Sequence, residues 1–401
     1  MDANLLERYA DLIVSVGANV QPDQVVAVEA LPEAQPLVAA IARAAYDRGA
    51  RYVEASYFDA DVKRIRSERA PAGTLEWVPP WLGQRILRLG ELNGARIVLV
   101  PLVPPGLLDG VDPARAGLDR LPQVSESLQT VEDRSIAWTL SPYPTLAWAT
   151  VVYPDASPGE ALELLWQDIA HVCRLDEPDP AGAWNERIDQ IWQVARRLDA
   201  LDLDSLHFGG PGTDLTVGLL PSSRFAKEGG ASHTRMGVRH VPSLPTEEVF
   251  TTPDPERTSG VVTATKPLDV AGSLVTGLRV RFEGGRAVQI DADANAETLR
   301  ARCAVDEGAA RLGEVALVDG EGRIGKLGRT FFTTLLDENA ASHVALGDAY
   351  SAPVADPGDL PRINTSGVHI DFMIGSAEVD VTGTTKSGGT VPILRGGAWQ
   401  I

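Results

Sequence analysis

A histidine and an aspartate stand two positions apart in an otherwise apolar run near the end of the chain. The run is GVHIDFMIG, and it contains His369 and Asp371. In a β-strand, side chains two positions apart point to the same face, so the pair would lie together while Ile370 and Phe372 point the other way. A buried ionised aspartate needs a partner. A metal ion and a histidine–aspartate hydrogen bond both meet that need, and the pair alone leaves the choice open.

A second segment, LLDENAASHVALGDAY, carries Glu338, His343 and Tyr350, three groups that could take part in chemistry. Glu338 and His343 are five positions apart, which puts them about 140° apart on a regular helix. They could therefore reach one site only if the segment bends or if one of them lies at its end. The alternative is that Asp337 caps the start of a solvated acidic helix and that the segment has no chemical role.

Two further glutamates are notable for their positions in predicted strands. In PTEEVFTTP, Glu247 and Glu248 point to opposite faces, and in RLGEVALV, Glu314 lies at the edge or mouth of an apolar strand. The chain has 55 acidic residues, so either glutamate by itself is unremarkable. Lone histidines are weak indicators of a site. The remaining ones are interpreted as surface or satisfied core residues: His171, His207, His233 and His240.

The elements that would position these groups change in character along the chain. The first half alternates short apolar strands, such as VVAVEA and RIVLVPLV, with amphipathic helices, such as PLVAAIARAAYDRGA. This alternation predicts βαβ units on a parallel sheet, which is an α/β domain of Rossmann-like character. The second half has short alternating runs, including LVTGLRVRFEGG and RAVQIDAD. They predict a largely antiparallel sheet with inserted helices, an α+β arrangement.

A cluster of aspartate, proline and glycine, DEPDPAGAW, separates the two halves. We therefore predict an α/β N-terminal domain over residues 1–180 and an α+β catalytic domain over residues 181–401. The length of 401 residues agrees with two cores rather than one. The glycine-rich stretches GGPGTDL and GTTKSGG match neither a dinucleotide fingerprint nor a P-loop. A nucleotide-dependent enzyme is therefore disfavoured.

The composition limits the partners and the location of the protein. A formal net charge of -19 repels phosphate backbones and anionic membranes, so we expect no nucleic-acid partner. We expect no membrane association either, because no apolar run approaches the length of a membrane span. The N-terminus predicts an amphipathic helix and no signal peptide. The two cysteines, Cys173 and Cys303, suggest no disulfide framework, which favours a reducing cytoplasm.

In chain order, the segments with candidate groups resemble the signature segments of a known family. PTEEVFTTP, RLGEVALV, LLDENAASHVALGDAY and NTSGVHIDFMIG are similar to those of the thermophilic metalloaminopeptidases, the metallo-exopeptidases of the aminopeptidase T and aminopeptidase S type. The N-terminal half and LHFGGPGTDLTVGL also resemble family segments, so the resemblance covers most of the chain. Each segment alone is a weak signal, whereas four in the family's order are specific.

The resemblance implies two divalent metal ions per chain, zinc or cobalt, with manganese as a further candidate. It implies a set of six metal ligands, with Glu314 bridging: Glu248, Glu314, Glu338, His343, His369 and Asp371. Four carboxylates balance the charge of two divalent cations, and two histidines add nitrogen ligands. Two such ions can share a water and lower its pKa. Tyr350 could donate a hydrogen bond to the oxyanion that forms when hydroxide attacks the scissile carbonyl. Glu338 could be a ligand, the proton shuttle or both.

The implied function is metal-dependent removal of N-terminal residues from short peptides. The resemblance also implies a homodimer whose catalytic domains enclose an internal cavity that admits short peptides. The alternative is a catalytically silent relative that binds metal or peptide without hydrolysis. All of the ligand-type positions are filled by suitable residues in this sequence, which favours the active enzyme.

Overall fold

The computed structural model of the chain describes residues 3–225, 230–270 and 272–401. Backbone contacts divide the chain into two compact units. The first unit consists of Met1–Ile188 and Ala231–Thr246, and the second consists of Asp189–Gly230 and Glu247–Ile401. The chain thus returns to the first unit for one short segment before it completes the second.

The helices of the described residues fall mainly in the first unit. In chain order the α-helices are α1 (Ala3–Leu12), α2 (Gln35–Asp47), α3 (Ala60–Arg69), α4 (Pro80–Glu91), α5 (Pro113–Leu118), α6 (Ser125–Glu132), α7 (Leu146–Val152), α8 (Pro158–Val172), α9 (Pro180–Ala200), α10 (Ala296–Cys303), α11 (Arg323–Lys326) and α12 (Thr334–Asp337). A π-helical turn, Ile13–Gly17, continues α1. None of the described helices has the length and apolar character needed to cross a bilayer.

The strands follow the same chain order. They are β1 (Val25–Ala30), β2 (Tyr52–Tyr57), β3 (Ala95–Val100), β4 (Ala137–Pro142), β5 (Leu203–Gly210), β6 (Thr213–Leu219), β7 (Ser232–His233), β8 (Arg239–His240), β9 (Glu248–Thr251), β10 (Pro253–Thr263), β11 (Leu268–Val270), β12 (Ser273–Val275), β13 (Arg279–Glu283), β14 (Arg286–Asp291), β15 (Leu312–Val318), β16 (His343–Gly347), β17 (His369–Met373), β18 (Asp380–Thr385), β19 (Thr390–Arg395) and β20 (Ala398–Trp399).

The first unit is built on a parallel sheet with strand order β2-β1-β3-β4. Its central strand, β1, has the sequence VVAVEA, and Val26 and Val28 are fully buried. Strands covered on both faces read as continuous apolar runs, which explains why the sequence signal was clear. The predicted α/β domain with a parallel sheet is confirmed.

The returning segment Ala231–Thr246 joins the first unit through backbone hydrogen bonds. The Leu140 amide on β4 donates to Pro242 at 2.7 Å, and the Leu244 amide donates back to Leu140 at 3.0 Å. The Val241 amide donates to Gly17 at 2.8 Å. This segment therefore extends the sheet next to β4, immediately before the chain returns to the second unit at residue 247.

The second unit contains two larger antiparallel sheets. One has eight strands in the order β14-β13-β10-β6-β5-β18-β19-β20, and the other has four in the order β17-β16-β15-β9. The predicted α+β unit with a largely antiparallel sheet is confirmed. The four-stranded sheet is the one that carries the predicted site.

The four-stranded sheet has two chemically different faces. Residues directly opposite each other on neighbouring strands point to the same side, and successive residues alternate. One face packs into the apolar core of the second unit through Val249, Val315, Leu317, Val344, Leu346, Ile370 and Phe372. The other face carries Glu248, Glu314, His343, His369 and Asp371. The expectation that His369 and Asp371 share a face opposite Ile370 and Phe372 is thereby confirmed.

Within DEPDPAGAW, α9 begins at Pro180, because proline is well tolerated in a first helical turn. Another segment differs from its sequence interpretation. LLDENAASHVALGDAY is not one helix: α12 ends at Asp337 and β16 begins at His343. Asp337 is 1% exposed and accepts hydrogen bonds from the amides of Phe331 at 2.9 Å and Thr333 at 3.3 Å. The interpretation of Asp337 as the N-cap of a solvated helix is wrong.

Candidate metal centre

His343 lies at the middle of a cluster on the polar face of the four-stranded sheet. Its Nε2 atom is 3.1 Å from Oε2 of Glu248 and 3.4 Å from Oε1 of Glu314. On the neighbouring strand, Nε2 of His369 is 3.3 Å from Oδ1 of Asp371 and 3.7 Å from Oε2 of Glu314. The two carboxylate oxygens of Glu314 thus approach two different histidines.

Glu338 enters the cluster from outside the sheet. It directly follows the last residue of α12, and its amide donates to the carbonyl of Thr334 at 2.9 Å. Its position at the end of the helix lets it reach His343, which resolves the spacing that a continuous helix could not satisfy. Ligand atoms of Glu338, His343 and Asp371 lie within 4.8 Å of one another.

A second group meets the same criterion, because ligand atoms of Glu248, Glu314 and His343 also lie within 4.8 Å of one another. The two groups share His343 and differ in their carboxylates. Three protein donors are common for a metal that keeps an open position. The Nε2 atom of His343 can bind only one ion, so the second ion would need another donor. Nε2 of His369 could be that donor, because it lies near Oδ1 of Asp371 and Oε2 of Glu314. The arrangement could therefore hold two adjacent ions.

The two histidines of the cluster are oriented in the same way. Nδ1 of His343 is 3.2 Å from the carbonyl oxygen of Ala341, and Nδ1 of His369 is 2.8 Å from that of Asp348. A proton on Nδ1 would be donated to that carbonyl, which leaves the Nε2 lone pair directed at the carboxylates. Metal-binding histidines are typically held in this manner.

The carboxyl groups are gathered in a place where ionisation is costly. Burial raises the pKa of Glu314, while the contact with His343 acts in the opposite direction. Burial raises the pKa of Glu338 well above its usual value, and the carboxylates of Asp371 and Glu248 raise it further. Desolvation and like charges are the cause in both residues. A divalent cation among these groups would remove much of that cost.

A raised pKa favours the neutral form of the two glutamates, whereas it favours the charged form of the two histidines. Burial lowers the pKa of His343, but its contacts with Glu248 and Glu314 outweigh burial and raise the pKa well above the usual value. Burial likewise lowers the pKa of His369, and the Asp371 carboxylate outweighs it and raises the pKa to about 10. Burial favours a higher pKa for Asp371, but His369 brings it below the usual value. Without metal, these rings hold protons that metal binding at Nε2 would displace.

The donor set fits two divalent cations. Four ionised carboxylates balance the charge of two divalent ions, so the cluster would be close to neutral when both are bound. Oxygen and imidazole ligands suit zinc, cobalt and manganese.

Tyr350 lies beside this cluster, three residues after the end of β16. Its ring centroid is 5.4 Å from that of His369 and 5.8 Å from that of Phe250. The Thr252 hydroxyl donates to the backbone carbonyl of Tyr350 at 2.6 Å. Burial, followed by the nearby carboxylates led by Glu314, raises the pKa of the phenol well above its usual value. Tyr350 is therefore a neutral hydrogen-bond donor at ordinary pH.

The structure brings the predicted site residues together, and their roles as ligands remain a prediction. Glu247 is a further carboxylate next to a predicted ligand, and its place in the sequence makes it a candidate to hold the substrate amine. It is, however, 2% exposed, and its Oε2 atom packs against Gly322. It is not open to a substrate. Sequence reasoning assigned no role to Asn339, which bonds both α12 and the start of β9. Its position next to Glu338 was the available signal.

Comparison with known proteins identifies the family. Residues 2–399 match the family described as thermophilic metalloprotease M29. The chain belongs to the M29 family. The predicted resemblance and the predicted class of metal-dependent peptidase are thereby confirmed.

Relatives in this family are similar along their whole length. Aminopeptidase T from Thermus aquaticus is 39% identical over 404 residues, which cover 99% of this chain and 98% of the relative. Aminopeptidase 2 from Geobacillus stearothermophilus is 36% identical over 405 residues, with coverage of 98% and 97%. The solved structure of wild-type AmpT from Thermus thermophilus superposes with a TM-score of 0.88 at 37% identity and covers 99% of both chains.

Proposed function

We propose that this M29 protein is a metal-dependent aminopeptidase that removes N-terminal residues from short peptides with two divalent metal ions. The observation that carries the proposal is the pair of three-residue groups that meet at His343, with Glu338 at the end of α12 and the other members on one sheet face. The names of the relatives support the exopeptidase class. We propose zinc or cobalt as the metal, with manganese as a further candidate.

The six ligand positions have distinct parts in this proposal. Glu314 would bridge the ions, because its two carboxylate oxygens face different histidines. Glu248 and His343 would complete one position, and Glu338 and Asp371 would contribute to the other. His369 adds a nitrogen donor beside Asp371. The carbonyls that accept from both Nδ1 atoms would hold the imidazoles in place.

The bound ions would supply Lewis-acid chemistry and a shared water of lowered pKa. Tyr350 would donate a hydrogen bond from its phenol to the oxygen of the scissile carbonyl as negative charge develops there. Glu338 would accept the proton that the attacking water loses and return it to the amine that leaves when the peptide C–N bond breaks, in addition to its part as a ligand. The sheet keeps the five ligands on its polar face fixed, because its other face is packed into the core.

The test is elemental analysis of the purified protein combined with hydrolysis of aminoacyl chromogenic substrates during chelation and metal restoration. We expect metal bound to each chain and activity that follows metal content. Glu314→Gln should lose metal affinity by roughly 100-fold or more, beyond the 10–100-fold typical of outer partners. Glu256→Gln, an exposed glutamate on β10, is the matched control and should change neither quantity. Metal and activity at normal levels in Glu314→Gln would reject the assignment.

The same experiment separates the active enzyme from the silent relative considered above. A silent relative would bind metal through the same residues and release no chromophore at any metal concentration. We also propose a homodimer, to be tested by light scattering on a sizing column. Two free buried cysteines, Cys173 and Cys303, support a proposed cytoplasmic location.

A further inference from the structure

Asn339 joins two elements that each carry a predicted metal ligand. Its side chain is 1% exposed. The Nδ2 group donates to the carbonyl of Leu335 at 2.8 Å, inside α12, and Oδ1 accepts from the amide of Glu247 at 2.6 Å, just before β9. One amide side chain thus connects the end of a helix to the start of a strand 92 residues away in sequence.

The two connected points belong to different groups of the metal centre. Glu338 precedes Asn339 and lies in the group with Asp371, while Glu248 follows Glu247 and lies in the group with Glu314. Nδ2 of Asn339 is also 3.4 Å from Oε1 of Glu338. The position of Glu338 relative to Glu248 therefore depends on this residue.

Neither element is well fixed by its own hydrogen bonds. The helix α12 has only four residues, which is too short to be stable by itself. The strand β9 lies at the edge of its sheet, and Glu248 is its first residue. A buried hydrogen bond between them constrains both, and an asparagine can donate to one and accept from the other at once.

We propose that Asn339 is a positioning residue that sets the separation of the two metal positions. The inference rests on the proposed dinuclear function. Asn339 holds Glu338 and Glu248 at the distance that places both carboxylates near His343.

The test uses the full chain with Mn²⁺ as the probe, in the variants Asn339→Ala and Asn339→Asp. Asn339→Ala removes the bonds to Leu335 and Glu247 and the contact with Glu338. Asn339→Asp keeps an oxygen acceptor for the Glu247 amide, loses the donor to Leu335 and Glu338, and adds a negative charge beside Glu338. Asn295→Ala is the control, because Asn295 also donates to a backbone carbonyl, that of Leu274 at 2.7 Å, elsewhere in the second unit.

Two measurements are needed. Calorimetric titration with Mn²⁺ gives the number and affinity of the bound ions, and electron paramagnetic resonance of the loaded protein shows whether their spins are coupled. In the wild type we expect two bound ions with a spin-coupled signal. In Asn339→Ala we expect the weaker ion to bind roughly 10–100-fold more weakly and the coupled signal to be lost. Asn339→Asp should weaken the binding of the same ion, and this variant tests the inference if Asn339→Ala does not fold. Asn295→Ala should lose stability and keep both ions.

The outcomes separate the inference from the function beneath it. Two ions with unchanged affinity and coupling in both Asn339 variants would overturn the inference alone. A wild-type chain that binds at most one Mn²⁺ would overturn the dinuclear proposal and the inference together. Equal loss of the second ion in Asn295→Ala would show that stability, and not position, is responsible, which also overturns the inference.

Discussion

At the scale of single residues, the metal centre depends on which atom of each side chain faces inward. Both histidines direct Nδ1 to a backbone carbonyl and Nε2 to carboxylates, and Glu314 directs one oxygen to each histidine. Such orientation removes most of the rotational freedom that free side chains would lose on binding a metal. The donor atoms are therefore held in place before a metal binds.

The hydroxyl of Tyr350 gives a prediction that isolates one atom. Tyr350→Phe keeps the ring contacts with Phe250 and His369 and removes only the hydrogen-bond donor. We expect kcat to fall by about 100- to 1,000-fold, the range for loss of one donor to an oxyanion, while metal content and thermal stability stay unchanged. Tyr143→Phe, which removes a hydroxyl that donates to Glu33 at 3.0 Å, is the control. An unchanged kcat in Tyr350→Phe would exclude this role.

His240 gives a prediction about pH, away from the metal centre. It is 2% exposed on β8, and burial lowers its pKa to about 4. Because the pKa is lower in the folded protein, the unfolded chain takes up a proton first as the pH falls below about 6.5. Stability is therefore complete above that pH and is lost between about 6.5 and 4, by up to about 3 kcal/mol.

The measurement is the free energy of unfolding in urea from pH 8 to pH 4. His240→Gln should remove this part of the pH dependence, so the wild-type and variant curves should converge as the pH falls. A curve for His240→Gln that runs parallel to that of the wild type over the whole pH range would contradict the prediction.

Much of the site could be predicted at the residue scale, because residue type and chain order carry the signal. His369 and Asp371 were two polar groups on one strand face, and three other segments supplied partners of matching chemistry. The contact between Glu314 and both histidines could not be predicted, since it depends on the register of three strands. The role of Asn339 was missed because an amide has no charge or metal-binding preference that sets it apart.

At the scale of elements, alternation along the four-stranded sheet separates chemistry from packing. Ala345 lies between Glu314 and Asp371 in the register, on the same face. Side chains at such positions have Cβ atoms about 4.5–5.5 Å apart, so a small residue there leaves room between the two carboxylates. The segment around it was difficult to interpret because helix and strand meet within it, and short elements have weak periodicity.

Enlarging Ala345 tests this separation. Ala345→Leu should fill the space between the carboxylates and weaken metal binding by roughly tenfold or more, comparable to loss of an outer partner. Val344→Ala, on the core face of the same strand, should lower the free energy of unfolding by about 2 kcal/mol and leave metal affinity unchanged. Titration calorimetry and urea unfolding on both variants measure the two effects. Equal metal affinity in the two variants would argue against the assignment of the faces.

At the scale of the whole molecule, metal binding should stabilise one compact unit. All six predicted ligands belong to the second unit. A ligand present at about 100 times its Kd stabilises the state that binds it by about 2.7 kcal/mol. Amide hydrogen exchange should therefore slow in β9, β15, β16 and β17 on metal addition, and stay unchanged in β1 to β4. The Glu314→Gln variant should show no slowing, and equal slowing in both units would contradict the prediction.

The two fold classes were predictable because apolar runs and alternating runs differ along the sequence. The return of Ala231–Thr246 to the first unit was not, because that segment is held by backbone hydrogen bonds, which any sequence can form. Strands β7 and β8 within it have two residues each, too few to show a period.

The alternation on β16 and β17 also limits how this family can vary. A one-residue insertion or deletion within either strand would turn its ligands into the core and its core residues toward the metals. Single substitutions cannot reverse such an exchange of the two faces. A substitution within the strand, in contrast, leaves every other side chain on its original face. The centre should therefore diverge among relatives by exchange of side chains at constant strand length, with changes of length confined to the connecting loops.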